Sequence, residues 1–387
     1  LLYAHGLIKG RTGLEEIYED HLSGSHGKRV YEINARGKLV QSLSFIKPLQ
    51  GSDLYTNLDI EAQKSAAKSL GDRRGAVVAI DLDSGGINVL YSSPTYSINQ
   101  LSNGMNEDDL LALINDPEKP FFNRALQGRY PPASTIKPAI GMYGISKNIV
   151  NWDFVIKDPG FFTLPETGRV FRGWRKGGHG KVNMHKAFLV SSNTYFFSLA
   201  YQADIKELTN HLTSLGFGQK VCLDCFDEDQ ALVPTPEWKF NFMNAGWVKG
   251  DTVNLGIGQG YLLVTPMQLA NYGSLLAKKG KFNEPAIVTF DKTKRPIKIW
   301  EDERFDDSDW VKMHQALLGV IENDIGTASS IRDLKEFQVA GKSGTAELVS
   351  LDSKEAYQEV RTSELLRDHS IIIAFGPMPN PRYAVSV

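Results

Sequence analysis

A serine and a lysine stand three positions apart in the stretch Tyr130-Pro131-Pro132-Ala133-Ser134-Thr135-Ile136-Lys137-Pro138. The two prolines hold the approach extended, which places Ser134 to open a helix. Pro138 does not oppose this, because the first N–H groups of a helix have no intrahelical partner. Positions i and i+3 then share a face. A lysine held against a hydroxyl in a desolvated cleft gives up its proton, which turns the serine into a usable nucleophile. The helix N-terminus adds N–H groups and a positive dipole end for developing negative charge. Taken alone, S-x-x-K occurs often by chance and is better explained as a helix start with a solvated lysine.

Two further stretches carry chemistry of the same kind. Ser191-Ser192-Asn193 lies between apolar segments and marks a bend beside a buried helix. There Ser191 offers a hydroxyl for proton relay and Asn193 an amide for gripping a peptide; the plain alternative is another helix cap. Lys342-Ser343-Gly344-Thr345 follows the strand-like Phe337–Gly341. Lys342 is expected to supply a fixed positive charge, and Ser343 and Thr345 hydroxyls to hold a carboxylate. Gly344 is expected to clear space for a ligand's backbone. Gly341-Lys342-Ser343 also reads G-K-S, but a P-loop needs a glycine where Glu336 stands and a helix where a strand is expected.

Other stretches yield to ordinary explanations. Gly256-Ile257-Gly258-Gln259-Gly260 is a turn rather than a dinucleotide loop. G-x-S-x-G is absent, which excludes the nucleophile-elbow hydrolases. Asp158, His179 and His185 show no metal-ligand spacing on one element, so hydrogen-bonded loop histidines are expected. Cys222 and Cys225 form one C-x-x-C in an acidic flank, half of a zinc site. Two ordinary thiols are the first expectation and a local disulfide the second, with a metal last.

The elements that must position these residues begin with two terminal hairpins. Gly75–Asp81 and Ile87–Ser93 flank the turn cluster Asp83–Gly86; Ser370–Phe375 and Tyr383–Val387 flank a loop with Pro377, Pro379 and Pro381. Between them the chain is largely helical, and Thr265-Pro266-Met267-Gln268 reads as a capping box opening Leu269–Lys279. Strand pairs so far apart predict one antiparallel sheet closed by distant segments. Near the start, Gly13–Asp20 is expected helical, Arg29–Leu39 a strand, Gly51–Asp53 a joint, and Glu61–Leu70 a helix capped by Gly71. With 387 residues, 42% hydrophobic, 23% charged and a net charge of −2, the chain is globular and shows no basic excess for nucleic acid. No apolar run is long enough to span a membrane.

S-x-x-K, S-x-N and K-S-G in this order, 57 and then 151 residues apart, resemble the signature set of penicillin-binding proteins and serine β-lactamases. Thr12–Asp20, Gly75–Asp81, Asn123-Arg124-Ala125, Asp158-Pro159-Gly160, Gly178-His179-Gly180, Gly256–Pro266 and Asp368-His369 resemble the elongation-type class B members. The likeness spans nearly the whole chain. It implies an α+β fold: a five-stranded antiparallel sheet with helices, an all-helical subdomain and a small N-terminal pedestal. The expected division is a dimerisation-type pedestal at 1–52, incomplete, and a transpeptidase domain at 53–387 with its C-terminal end truncated.

The resemblance also implies roles. Ser134 attacks the penultimate D-alanine carbonyl of a stem peptide, with Lys137 as general base. Ser191 relays the proton to the leaving D-alanine and Asn193 binds the donor backbone. Lys342, Ser343 and Thr345, on a strand made narrow by Gly344, hold the terminal carboxylate or that of a β-lactam. Backbone N–H groups of Ser134 and Thr345 form the oxyanion hole, and an amine from a neighbouring stem resolves the acyl-enzyme. The alternatives are a D,D-carboxypeptidase, a class D-like β-lactamase, and a penicillin-sensing receptor domain.

Departures from the family pattern carry expectations of their own. Ala133 stands where many relatives have glycine and should narrow the approach; Asn193 stands where many have aspartate. Some members bind zinc through two aspartates, a histidine and a cysteine; here Asp158 and His179 match, but Gly173 and Ser192 hold the other places, so neither metal nor cofactor is expected. The expected partners are stem peptides, β-lactams and a membrane glycosyltransferase of the elongation machinery. The expected location is the periplasmic face of the inner membrane, with the single-pass anchor outside this chain.

Overall fold

The computed structural model describes residues 9–289, 296–334, 336–346 and 368–387. Its organising element is a five-stranded antiparallel sheet in the order Ala340–Ala346, His369–Gly376, Tyr383–Ser386, Gly75–Asp81, Ile87–Ser93. The two hairpins expected from the sequence are thus neighbours, joined where Tyr383–Ser386 pairs with Asp81–Val78. Along Gly75–Asp81 every second side chain is buried, as the two-residue period of a strand requires.

Behind the sheet runs the helix Pro266–Ala277, with all twelve residues buried. Its start follows the sequence: the Thr265 hydroxyl accepts from the Gln268 N–H, and the Gln268 carboxamide accepts from the Thr265 N–H. The same Gln268 donates to the carbonyls of Gln219 and Gln230, so a buried amide leaves no group unpaired. Helix Asp307–Glu322 packs along the edge strand Ala340–Ala346, and helices Lys137–Ser146, Met184–Leu189 and Asn193–Gln202 build the helical side of the molecule. One large apolar cluster joins these helices to the sheet, including Ile140, Phe188, Phe196, Tyr272, Leu317 and Ile373.

The N-terminal portion differs in detail from the expectation. The segment Gly13–Asp20 divides into Gly13–Ile17 and Glu19–Leu22 around Tyr18. Arg29–Leu39 is not one strand but the turn region of a ribbon, Lys28–Ile33 against Leu39–Ile46. Asn34 bends it: its side-chain oxygen accepts from the N–H groups of Arg36 and Lys38, and Gly37 takes a left-handed conformation. Among the described residues, no helix is long and apolar enough to cross a membrane.

Candidate active site

The nucleophile turn is tighter than a helix start. Ala133–Ile136 forms a 3₁₀ turn, and the α-helix begins only at Lys137, with Pro138 in its first turn. Ser134 is therefore not the helix cap. The correction leaves the pairing intact, because in a 3₁₀ turn residues i and i+3 eclipse one another. The turn is pinned on both sides: Tyr130 exchanges backbone hydrogen bonds with Val264, and the Ala133 N–H donates to the Gly258 carbonyl. Gly258, at φ +72°, leaves no room for a Cβ, which would lie 2.2 Å from the Ala133 carbonyl oxygen. The glycine-rich segment read as a simple turn is the brace of the nucleophile.

Ala133 also behaves differently from the expectation. Its methyl is buried in the main core rather than at the approach, and its cost falls on the backbone, at φ +48°. Gly344 is corrected in the same way. A Cβ there would stand 3.0 Å from the Pro132 carbonyl oxygen and 3.2 Å from the Ser134 nitrogen, so the close approach it permits is that of the nucleophile turn itself. This contact sets the edge strand beside Ser134.

Lys137 and Lys342 are both fully buried and meet at one hydroxyl. Lys137 Nζ lies 3.1 Å from Ser191 Oγ, and Lys342 Nζ lies 3.0 Å from the same atom. Lys137 Nζ also donates to the Ser191 carbonyl at 2.8 Å and to Asn193 Oδ1 at 2.7 Å; Lys342 Nζ donates to the Ser343 carbonyl at 2.9 Å. Burial lowers the Lys137 pKa well below the usual lysine range, the Lys342 charge lowers it further, and Asp158 opposes the fall. Two of the three Lys137 contacts are pure acceptors. A neutral amine serves both with its two N–H groups and turns its lone pair to the Ser191 O–H. Burial brings the Lys342 pKa down to about 7, where the sequence alone suggests an ordinary lysine charge.

The bend expected at 191–193 is present and strained. Ser191 has φ +52°, a left-handed conformation that aims its hydroxyl between the two lysines. Ser192 caps the following helix by accepting from the Tyr195 N–H, and its hydroxyl donates to Asp158 Oδ2 at 2.6 Å. Asp158 Oδ1 accepts from the Gly160 N–H at 2.8 Å, so both carboxylate oxygens are engaged. With Gly173 offering no ligand and Asp158 committed to Ser192, these residues do not fit the zinc quartet of some relatives. The His179 ring lies tilted against Trp174, whose indole N–H donates to the Val190 carbonyl beside the bend.

On the edge strand, Ser343 Oγ meets Thr327 Oγ1 at 3.0 Å, and Thr345 is exposed. Thr327 was not singled out from the sequence. Its N–H donates to the Leu189 carbonyl, so it ties the Ser191 bend to the edge strand; no motif or spacing marks it. The structure thus gathers Ser134, Lys137, Ser191, Asn193, Lys342, Ser343, Gly344 and Thr345 at the junction of the nucleophile turn, the Ser191 bend and the edge strand. No hydrogen bond joins Ser134 to Lys137 in this state.

The cysteines pair with each other, against the first expectation of two ordinary thiols: Cys222 and Cys225 form a disulfide, their Cα atoms 5.5 Å apart. Among the described residues, Cys222, Asp224 and Cys225 are the one group with metal-ligand proximity, and the S–S bond removes both sulfurs as ligands.

Comparison with known proteins agrees with this geometry. The family described as penicillin-binding protein transpeptidase domain matches residues 75–387, and the penicillin-binding protein dimerisation domain matches residues 2–56. The peptidoglycan D,D-transpeptidase MrdA of Acinetobacter baumannii is 39% identical over all of this chain and 58% of that protein. MrdA of Escherichia coli K12 is 34% identical over 98% of the chain and 61% of its own length. The chain thus spans about three fifths of the length of these curated relatives. Among solved structures, Pseudomonas aeruginosa PBP2, in complex with WCK 5153, superimposes with a TM-score of 0.83 at 32% identity, covering 98% of this chain and 78% of that one. Helicobacter pylori PBP2, in complex with MreC, gives 0.85 at 29% identity, covering 98% and 68%. The sheet order, the two-lysine cleft and the match over 75–387 lead to one conclusion: the chain belongs to the penicillin-binding protein transpeptidase family.

Proposed function

We propose that this chain carries out peptidoglycan D,D-transpeptidation through an acyl-enzyme on Ser134. The observation that carries the reading is the fully buried Lys137, which burial and the neighbouring Lys342 hold toward its neutral form beside the nucleophile turn. Lys137 takes the Ser134 proton as Oγ attacks the penultimate D-alanine carbonyl. Hydrogen bonds between nucleophile and base are commonly long before substrate binds and tighten in the complex. The N–H groups of Ser134 and Thr345 receive the oxyanion. The Ser191 hydroxyl passes a proton to the leaving D-alanine and is resupplied from the lysines on either side of it. Lys342, Ser343 and Thr345 hold the terminal carboxylate, and Asn193, its oxygen turned to Lys137, offers its NH₂ to the donor backbone. An amine of a second stem then attacks the acyl carbonyl, forming the cross-link. A positioned base contributes about 10²–10⁴-fold, and an oxyanion donor on the order of 10²–10³-fold.

The same reading supplies partners and place. Stem peptides are donor and acceptor, and β-lactams acylate Ser134 as mimics of the donor. A membrane glycosyltransferase of the elongation machinery is the expected companion; the MreC complex of the Helicobacter pylori neighbour supports an elongation setting. The Cys222–Cys225 disulfide supports an oxidising compartment, in keeping with the periplasmic face of the inner membrane. Incubation with labelled penicillin and mass spectrometry of the adduct tests the function. A stable adduct on Ser134, absent in Ser134→Ala, supports it; rapid return of free enzyme would favour a hydrolase, and no adduct at all would remove the assignment.

A further inference from the structure

The disulfide encloses a buried carboxylate that does not belong to the cleft. Asp224 lies between Cys222 and Cys225 and is buried, with every oxygen engaged: Oδ1 accepts from the Ile287 N–H at 2.7 Å, and Oδ2 accepts from the Val288 N–H at 2.8 Å and from the Tyr18 hydroxyl at 3.1 Å. Tyr18 belongs to the pedestal, and burial together with Asp224 raises its pKa. The segment Pro285–Thr289 that Asp224 grips is where the connector just after the pedestal, Tyr55 and Asn57, meets the sheet. Asn57 donates to the carbonyls of Ala286, Ile287 and Val288, Thr289 donates to the Tyr55 carbonyl, and Ala286 pairs with Ile87 of the sheet. From the pedestal, Leu14 packs on the same apolar cluster as Cys222 and Cys225. Cys222 and Cys225 are half-buried rather than buried, and Leu223 between them is 41% exposed, which places the bridge at the surface side of the loop.

A disulfide that closes so short a loop removes little chain entropy from the unfolded state. Its effect is local: it presets where the Asp224 carboxylate points. We propose that Cys222–Cys225 is a redox-modifiable clasp that fixes the pedestal to the transpeptidase domain through Asp224, and that a dithiol reductant opens it by thiol–disulfide exchange. A thiolate of the dithiol attacks one sulfur and expels the other as a thiolate, giving a mixed disulfide. The second thiol of the dithiol then displaces the remaining sulfur. The dithiol leaves as a disulfide, and Cys222 and Cys225 become two thiols after taking up two protons. Freed from the ring, the loop no longer presents its carboxylate to Tyr18, Ile287 and Val288. This clasp is independent of the chemistry assigned to Ser134.

Native-state hydrogen–deuterium exchange on the folded chain, oxidised and after treatment with excess dithiothreitol, tests the proposal. Reduction should speed exchange roughly ten-fold in peptides covering 14–18 and 285–289, the equivalent of losing one charge-assisted hydrogen bond, and leave the peptide covering 133–143 unchanged. Asp224→Asn, with the disulfide intact, should loosen the same two regions. Three results overturn it: no free thiols after native treatment with dithiothreitol, thiols without faster exchange at the junction, or equal loosening at the nucleophile turn. Because reduction is applied to folded wild type, a variant that fails to fold does not leave the matter open.

Discussion

Replacing Lys342 by methionine should move the pH dependence of acylation in the alkaline direction. The two lysine nitrogens share the Ser191 hydroxyl at 3.1 and 3.0 Å, so they lie no farther than about 6 Å apart, the two contacts laid end to end. At an effective dielectric near 20, two like charges at that distance repel by about 3 kcal/mol, or about two pKa units. The Lys342 pKa of about 7 means that its charge is present through the acidic range, where it holds the Lys137 proton off. Removing that charge raises the Lys137 pKa, and a base must be unprotonated to accept from Ser134. The ascending limb of the acylation profile should therefore shift upward by about one to two pH units. The assay is the second-order acylation constant from about pH 5 to about pH 9, taken with an activated ester lacking a carboxylate so that lost carboxylate binding does not enter. A limb that stays in place, or moves toward acid, in a variant that melts like wild type would refute the coupling between the two lysines.

Further outcomes follow from the same contacts. Because burial lowers the Lys342 pKa, the folded state binds fewer protons than the unfolded state between about pH 7 and the ordinary lysine range. Stability should therefore rise with pH across that window, and thermal melts of Lys342→Met should show a shallower rise, the part due to Lys137 remaining, and gain on the order of 1–3 kcal/mol at neutral pH. Gly344→Ala places a Cβ against Pro132 and the Ser134 nitrogen; labelled-penicillin acylation should fall at least about ten-fold with about 1–3 kcal/mol lost in a denaturant melt. Thr327→Val removes the 3.0 Å contact with Ser343; affinity for carboxylate-bearing β-lactams should drop by roughly three- to ten-fold while the carboxylate-free ester acylates as before.

What the sequence made legible was the chemistry and the frame. Ser134, Ser191 and Lys342 lie far apart in the chain, and it was the resemblance of their three motifs, in this order, to a known family that implied one shared site. The hairpins at Asp83–Gly86 and Pro377–Pro381 likewise announced the sheet through turn residues. What remained hidden depends on close approach between segments, which composition does not record. Gly258 is one turn glycine among several, and Gly344 reads as room for a ligand, until the nucleophile turn is laid against them. Lys342 reads as a charge until its burial is known. Thr327 is one threonine among many until Leu189 and Ser343 are its neighbours. The oxidation of Cys222 and Cys225 turned on a Cα separation that spacing alone does not fix, since C-x-x-C suits thiol, disulfide and metal alike.

The interleaved sheet has a consequence for the order in which the molecule is assembled. Tyr383–Ser386 sits between Gly75–Asp81 and His369–Gly376, so the sheet stays in two pieces until residues about three hundred positions apart have met. The fully buried helix Pro266–Ala277 leans on that closing strand, and the Ser386 hydroxyl donates to the Pro266 carbonyl. Until the strand arrives, one face of an apolar helix lies uncovered, and the strands Ala340–Ala346 and His369–Gly376 lack their link to the Gly75–Ser93 hairpin. A chain interrupted before that point would display the apolar surface of this helix that the closing strand covers. The proposed acylation site therefore draws Lys342 from a strand that becomes part of the whole sheet only once its two halves have joined.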